Sequence, residues 1–167
     1  PPRLPEGIDL PRDRMRVMGI LNVTPDSFSD GGRFLDPGAA LDHAQEMLDE
    51  GADLVDLGGE STRPNSTRIS EDEEWERIGS IIQRLAASGV VVSVDTLHAL
   101  TARRAADAGA AIINDVSGGR WDPQMNAAVA STDCAYVIQH YRALSDGIWA
   151  VRVHAISQQA KLVRAGR

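Results

Sequence analysis

The chain holds a single cysteine, Cys134, in 167 residues, so no internal disulfide can form and a reducing compartment is the simpler setting. An isolated Cys with no local nucleophile signature reads as a buried structural thiol. No apolar run approaches the roughly 18 residues needed to cross a bilayer. The opening stretch PPRLPEGIDLP has none of the regions of a secretory leader and reads as an irregular lead-in over residues 1–14, which makes the cytoplasm the expected location. A basic excess is also lacking: 17 Lys and Arg stand against 24 Asp and Glu, a formal net charge of −7. That balance argues against a general nucleic-acid surface, which needs clustered cations. The four histidines lack metal-ligand spacing, which disfavours a zinc site. No G-x-G-x-x-G turn follows the first apolar run, which removes the dinucleotide-binding fingerprint. What is present, 43% hydrophobic and 25% charged residues, is the mix of a soluble globular domain of ordinary size.

Strand, loop and helix signals then alternate. MRVMGILN (15–22) reads as a first buried strand, and Asp36-Pro37 as a helix start with an acidic N-cap and Pro at N1. Ala40, Ala44 and Leu48 share a face, and Gly51 closes that helix. DLVDLG (53–58) is the second strand; Ser70 with Glu73 forms a capping-box pattern, and Trp75, Ile78, Ile82 and Leu85 recur at helical spacing as core. VVVSV (90–94), AIIND (111–115) and AYVIQ (135–139) supply three more strands, with an alanine-rich helix at about 98–108 and a further N-cap pattern at Asp122-Pro123. Such alternation implies parallel βαβ units, an α/β class. An open doubly wound sheet and a (β/α)8 barrel compete. Polar residues at the C-terminal ends of four successive strands favour the TIM barrel, here incomplete with about five strands of its N-terminal half.

Those strand ends hold the candidates for chemistry. The loop after the first strand, GILNVTPDSFSDGG, is polar and glycine-rich. Asn22 at its start is either a hard-metal ligand through its amide oxygen or an Asx-turn residue. Thr62-Arg63-Pro64 either places a hydroxyl and a guanidinium fork on a phosphate or makes an ordinary polar turn. Asp95 either caps the following helix or grips an amino-imino edge of a heterocycle; Asn114, donor and acceptor together, either completes that grip or makes a turn. Arg103-Arg104 reads as a solvated pair.

Taken in order and spacing, GILNVTPDSFSDGG, GADLVDLGGESTRP, VSVDT and GAAIINDVSGG closely resemble the dihydropteroate synthase family, over roughly Met15 to Arg142. The resemblance implies a TIM barrel that condenses 6-hydroxymethyl-7,8-dihydropterin diphosphate with p-aminobenzoate in folate biosynthesis, releasing pyrophosphate. It also implies Mg2+ as cofactor, sulfonamides as competitors of p-aminobenzoate, and a homodimer for the full-length family. On the matching positions it implies Asn22 as metal ligand, Thr62 and Arg63 at the phosphate side, Asp95 and Asn114 on the pterin, Phe28 and Pro64 beside the aromatic amine, and Asp30 as a loop acid assisting the developing cation. Arg63 and Asp30 are thus the implied catalytic residues.

Three departures accompany the resemblance. Asn65 and Ser66 follow STRP where Gly and a small residue are usual. Gln139 stands where an apolar residue, commonly Met, is expected beside the pterin. The family's sixth-strand aspartate, seventh-strand S-R-K lysine and final Arg-x-His are not found, and residues 143–167 read as a divergent tail, in which Trp149, Val153, Ile156, Ala160 and Val163 share a helical face although Trp-Ala-Val-Arg-Val-His also alternates. A truncated partial barrel over 15–142, with unpaired edges and self-association or aggregation, is therefore expected. Two further readings stay open: a non-catalytic pterin or diphosphate-binding half-barrel, and the pterin-binding module of a corrinoid methyltransferase. The latter has no need of the TPDSFSDGG and STRP loops.

Overall fold

The computed structural model describes residues 8, 10–11, 13–24, 36–61, 67–143 and 149–153, with the backbone alone for 140–143 and 149–153. Five parallel strands, β1 (Met18–Asn22), β2 (Leu54–Gly58), β3 (Val92–Asp95), β4 (Ile112–Asp115) and β5 (Ala135–Ala143), lie side by side in chain order. Helices α1 (Pro37–Asp49), α2 (Glu71–Ala87), α3 (Ala99–Asp107) and α4 (Met125–Ala130) fill the crossovers. Each strand pairs with the next in sequence, with no reversal of order. That is the wall of a barrel rather than a doubly wound sheet, whose order reverses at a switch point.

Local chemistry places the helix ends. Asp36 Oδ1 accepts from Gly38 N at 2.9 Å with Pro37 as the first helical residue, and Gly51 follows α1 at φ +107. Ser70 Oγ accepts from Glu73 N at 3.1 Å at the start of α2, satisfying a donor the helix cannot pair itself. Ser70→Ala is expected to cost about 1 kcal/mol and to lower Tm by roughly 2–4 °C in a thermal melt. Two caps differ from their sequence signals. Asp95 does not cap α3: His98 is the N-cap residue, while Thr96 Oγ1 accepts from His98 N at 3.1 Å and Asp122 Oδ2 from Ala99 N at 2.8 Å. Asp122-Pro123 forms a turn ahead of α4, whose N-cap is Gln124; the Asp122 carboxylate is shared, Oδ1 accepting from Gln124 N at 2.8 Å within the turn and Oδ2 from Ala99 N at the start of α3.

The sheet has two different faces. Toward the helices, Leu21, Val55, Leu57, Val94 and Ile113 pack against Ile78, Ile82, Ala102 and Ala105 in the main core. Gly59 permits this closeness at the end of β2, where an added Cβ would lie 2.9 Å from Ile78 Cγ2 and 3.2 Å from the Glu74 carbonyl oxygen. On the opposite face a smaller cluster of Leu54, Ile112 and Ala135 is covered by Leu10 of the lead-in. Above it that face turns polar, toward the C-terminal strand ends. On β1 it is bare: Met18 is 43% and Ile20 61% exposed, whereas Leu21 on the helix face is buried.

The helical expectation for the tail is not met at its start. Residues Trp149–Val153 form β6, antiparallel to β5 with Gln139 opposite Val153 and Ala143 opposite Trp149. The alternation of WAVRV prevails because the free edge of β5 offers backbone groups that a strand can pair. Ile156, Ala160 and Val163 lie outside the described residues. Among those described, no helix is long and apolar enough to cross a membrane.

Candidate active site

Strand register brings the predicted residues into one row. Asn22 is opposite Gly58, Gly58 opposite Asp95, and Asp95 opposite Asn114. Paired residues of parallel strands point to the same side, so Asn22, Asp95 and Asn114 rise together at the C-terminal end of the sheet. Gly58 keeps the row open: a Cβ there would lie 3.4 Å from Asn22 Oδ1 and 3.7 Å from Asp95 Cβ. One layer below, Asp56 is opposite Ser93.

The two layers are joined by hydrogen bonds. Ser93 Oγ donates to Asp56 Oδ1 at 2.5 Å, Asn114 Nδ2 donates to Asp56 Oδ2 at 3.0 Å, and Gln139 Nε2 donates to Asn114 Oδ1 at 2.8 Å. Burial pushes the Asp56 carboxyl up, and the bonds from Ser93 and Asn114 pull it partly back. Asp95 has less support. Its Oδ1 is buried with no hydrogen-bond partner among the described residues. Burial first, and then the neighbouring Asp56, Glu74, Asp115 and Glu60, hold its carboxyl well above the usual carboxylate range. A buried acceptor of this kind costs free energy until a donor reaches it.

Asp56 and Ser93 were not among the sequence candidates. The signal was there: each is a polar residue within an apolar strand, two positions before a strand-end residue and so on the same face. Asp115, by contrast, turns away from the row. It accepts from Ser117 N at 2.8 Å, Gly119 N at 2.7 Å and Tyr136 Oη at 3.0 Å, the work of a buried loop anchor. Burial and the nearby carboxylate keep the Tyr136 phenol protonated. Cys134 is buried as expected, with Sγ donating to the Ala110 carbonyl at 3.1 Å.

A second cluster frames the loop after β2. Glu60 Oε1 accepts from Arg68 Nη1 at 2.9 Å, and Glu60 Oε2 meets His98 Nε2 at 2.8 Å. Arg68 also lies over the Trp121 ring, 4.9 Å from its centroid. Burial pushes Glu60 up, but His98 and Arg68 together outweigh it and leave the carboxyl below its ordinary value. The same hydrogen bond raises His98 against the opposing effect of burial. Arg104, read as solvated, is partly engaged, bonding Asp72 at 2.8 Å across from α3 to α2. Thr62, Arg63, Pro64, Asn65 and Ser66, and likewise Phe28 and Asp30, lie outside the described residues.

The comparisons with known proteins decide the family. The model of the pterin binding enzyme family matches residues 18–164. The chain belongs to that family. A curated dihydropteroate synthase of Mycobacterium leprae is 51% identical over 131 residues, which is 78% of this chain and 46% of that protein. Among solved structures, Xanthomonas albilineans dihydropteroate synthase in complex with 7,8-dihydropteroate matches with a TM-score of 0.73 at 44% identity, covering 85% of this chain and 52% of that one. The Yersinia pestis dihydropteroate synthase in complex with a sulfonamide drug gives 0.75 at 45% identity, over 83% and 50%. These family members are barrels of which this chain contains a part. It spans about half the length of the relatives it matches.

Proposed function

We propose that this family member carries a dihydropteroate-synthase-type site, which takes 6-hydroxymethyl-7,8-dihydropterin diphosphate and p-aminobenzoate and releases pyrophosphate. The observation that carries the reading is the buried Asp95 Oδ1, without a hydrogen-bond partner among the described residues, beside Asn114 at the strand ends. An acceptor carboxylate next to a carboxamide suits the amino-imino edge of a pterin, whose donors would replace the solvation Asp95 has lost. Departure of pyrophosphate leaves positive charge on the pterin methylene, and the arylamine attacks that carbon directly. No protein nucleophile is required; the residues position and stabilise charge. In this reading Arg63 and Thr62 hold the diphosphate, Phe28 and Pro64 flank the arylamine, and Asp30 faces the developing cation. Sulfonamides would compete at the arylamine position.

Among the described residues no three His, Cys, Asp or Glu side chains are grouped to hold a metal ion. Asn22 nevertheless fits Mg2+: it is exposed at the end of β1, its amide oxygen is a hard donor, and Mg2+ is commonly bound by one or two protein oxygens together with substrate phosphates. Bound there, Mg2+ would neutralise charge on the departing diphosphate.

Calorimetry with the pterin diphosphate, followed by a pyrophosphate assay on adding p-aminobenzoate, tests the proposal: binding and release are expected. Binding without release would leave the second reading, a non-catalytic pterin-binding half-barrel. Absence of binding would remove both. The cytoplasm is the proposed setting and self-association the proposed state, since Met18 and Ile20 expose the inner face of β1. Sedimentation velocity should show concentration-dependent association that Ile20→Lys reduces. A monodisperse monomer at all concentrations would contradict it.

A further inference from the structure

Gln139 occupies a position where the resemblance implies an apolar side chain, yet its Nε2 lies 2.8 Å from Asn114 Oδ1. The other end of the Asn114 carboxamide lies 3.0 Å from Asp56 Oδ2, and Asp56 Oδ1 lies 2.5 Å from Ser93 Oγ. Four side chains from β3, β2, β4 and β5 therefore form one chain of hydrogen bonds. Its direction is set at Asp56. An ionised carboxylate can only accept, so Asn114 gives it Nδ2 and turns Oδ1 toward β5, where Gln139 supplies the donor.

A carboxamide is nearly symmetric in shape, and half a rotation exchanges its donor and acceptor. Only its partners fix which edge a ligand meets. We propose that Gln139 is a specificity-determining positioning residue, which holds the Asn114 carboxamide with its oxygen toward β5 so that the site accepts a 2-amino pteridine and rejects the 2-oxo counterpart. This inference rests on the pterin reading of the site.

Asn114 Oδ1 and Asp95 Oδ1 are both acceptors on neighbouring strands. An exocyclic amine gives Asp95 Oδ1 the donor it lacks and Asn114 Oδ1 a second one beside Gln139, whereas a ring carbonyl oxygen in the same place faces two acceptors and leaves Asp95 Oδ1 without a donor. With Gln139 in place, rotation of the Asn114 carboxamide breaks two hydrogen bonds; without it, rotation breaks only the bond to Asp56, a loss that a new N–H bond to the ligand carbonyl partly offsets. The preference for the amine then weakens.

The test compares two ligands of equal size, pterin and lumazine (pteridine-2,4-dione), titrated by fluorescence into the 167-residue chain and its Gln139→Met and Gln139→Glu variants. The wild type is expected to favour pterin, and Gln139→Met to lower the pterin-to-lumazine affinity ratio about tenfold, the loss of one partly buried hydrogen bond. Gln139→Glu, which offers an acceptor where a donor stood, should lower it at least as far. An unchanged ratio in folded variants that bind pterin overturns the inference alone. Failure of the wild type to bind either ligand overturns the pterin reading and the inference with it. A ligand-free NMR measurement on the wild type stands apart from variant folding: a nuclear Overhauser contact between the Gln139 side-chain amide protons and the Asn114 side chain is expected, and its absence overturns the proposed restraint.

Discussion

Asp95→Asn should lower pterin affinity about 100-fold while raising the thermal stability of the ligand-free chain. The binding loss follows from replacing a carboxylate, which can accept from two ligand donors, with an amide that presents one acceptor and one donor; two charge-assisted hydrogen bonds at roughly 1.5–3 kcal/mol each comfortably cover about 2.7 kcal/mol. The stability gain has the opposite origin. Asp95 is buried, its Oδ1 has no hydrogen-bond partner among the described residues, and Asp56, Glu74, Asp115 and Glu60 oppose its ionisation. A neutral amide removes that opposition.

The pH dependence separates the two effects. Unfolded, the Asp95 carboxyl loses its proton near 3.8, and folded only well above that value. Between these limits the folded chain holds more protons, so the Asp95 contribution to stability is greatest below the unfolded value and declines as pH rises through the window. Asp56 and Glu74, raised chiefly by burial, act in the same sense. Glu60 acts in the other: its folded value lies below 4.5, so its contribution is present above 4.5 and is lost as pH falls through the folded value. His98, raised from 6.5, adds stability that is lost as pH rises through its folded value. Melting curves should therefore show greatest stability in mild acid, with a shallower decline toward alkaline pH in Asp95→Asn. Pterin affinity of the wild type should rise over the range where stability falls, because ligand donors need the ionised carboxylate. An Asp95→Asn chain that binds pterin like the wild type would remove Asp95 from the site.

Glu60→Ala is the second large effect. Glu60 stands just ahead of the segment 62–66 and bonds Arg68 just beyond it, so a single side chain ties the two ends of that loop together and also pairs with His98 at the start of α3. Its carboxylate is almost wholly enclosed, whereas Arg68 is partly exposed. Breaking a fully buried ion pair costs about 3–5 kcal/mol; the exposure of Arg68 reduces this to about 2 kcal/mol. Calorimetric Tm should fall by roughly 4–8 °C. Pyrophosphate or pterin diphosphate affinity should fall about tenfold, since Thr62 and Arg63 lie in the segment so bracketed. Unchanged diphosphate affinity in a folded variant would separate the Glu60 cluster from the site. Glu60→Gln, which keeps hydrogen bonding without the charge, should give an intermediate result.

Much of this architecture is written in local patterns. Asp36-Pro37 and Ser70 with Glu73 start their helices as their chemistry requires, because an N-cap needs only neighbouring backbone donors. Apolar runs ending in Asn22, Asp95 and Asn114 likewise mark strand ends, and parallel pairing in chain order sets those three residues in one row. Asp122 shows where locality stops: one carboxylate oxygen serves its own turn through Gln124 N, as a cap motif does, while the other accepts from Ala99 N of α3, a contact made only once α3 and the turn are packed together.

The sequence by itself determined the α/β class and the residue types at the strand ends, since periodicity and capping are properties of neighbouring residues, while the pairing of the strands in chain order came with the tertiary structure. Only the tertiary structure decided which polar groups meet. It paired Asp56 with Ser93 and Asn114, and Gln139 with Asn114, across strands separated by tens of residues. It turned Asp115, next to Asn114 in the chain, away from the row and toward the loop and Tyr136. It also made Trp149–Val153 a strand rather than a helix, because the choice depended on an unpaired edge of β5 that no local pattern contains.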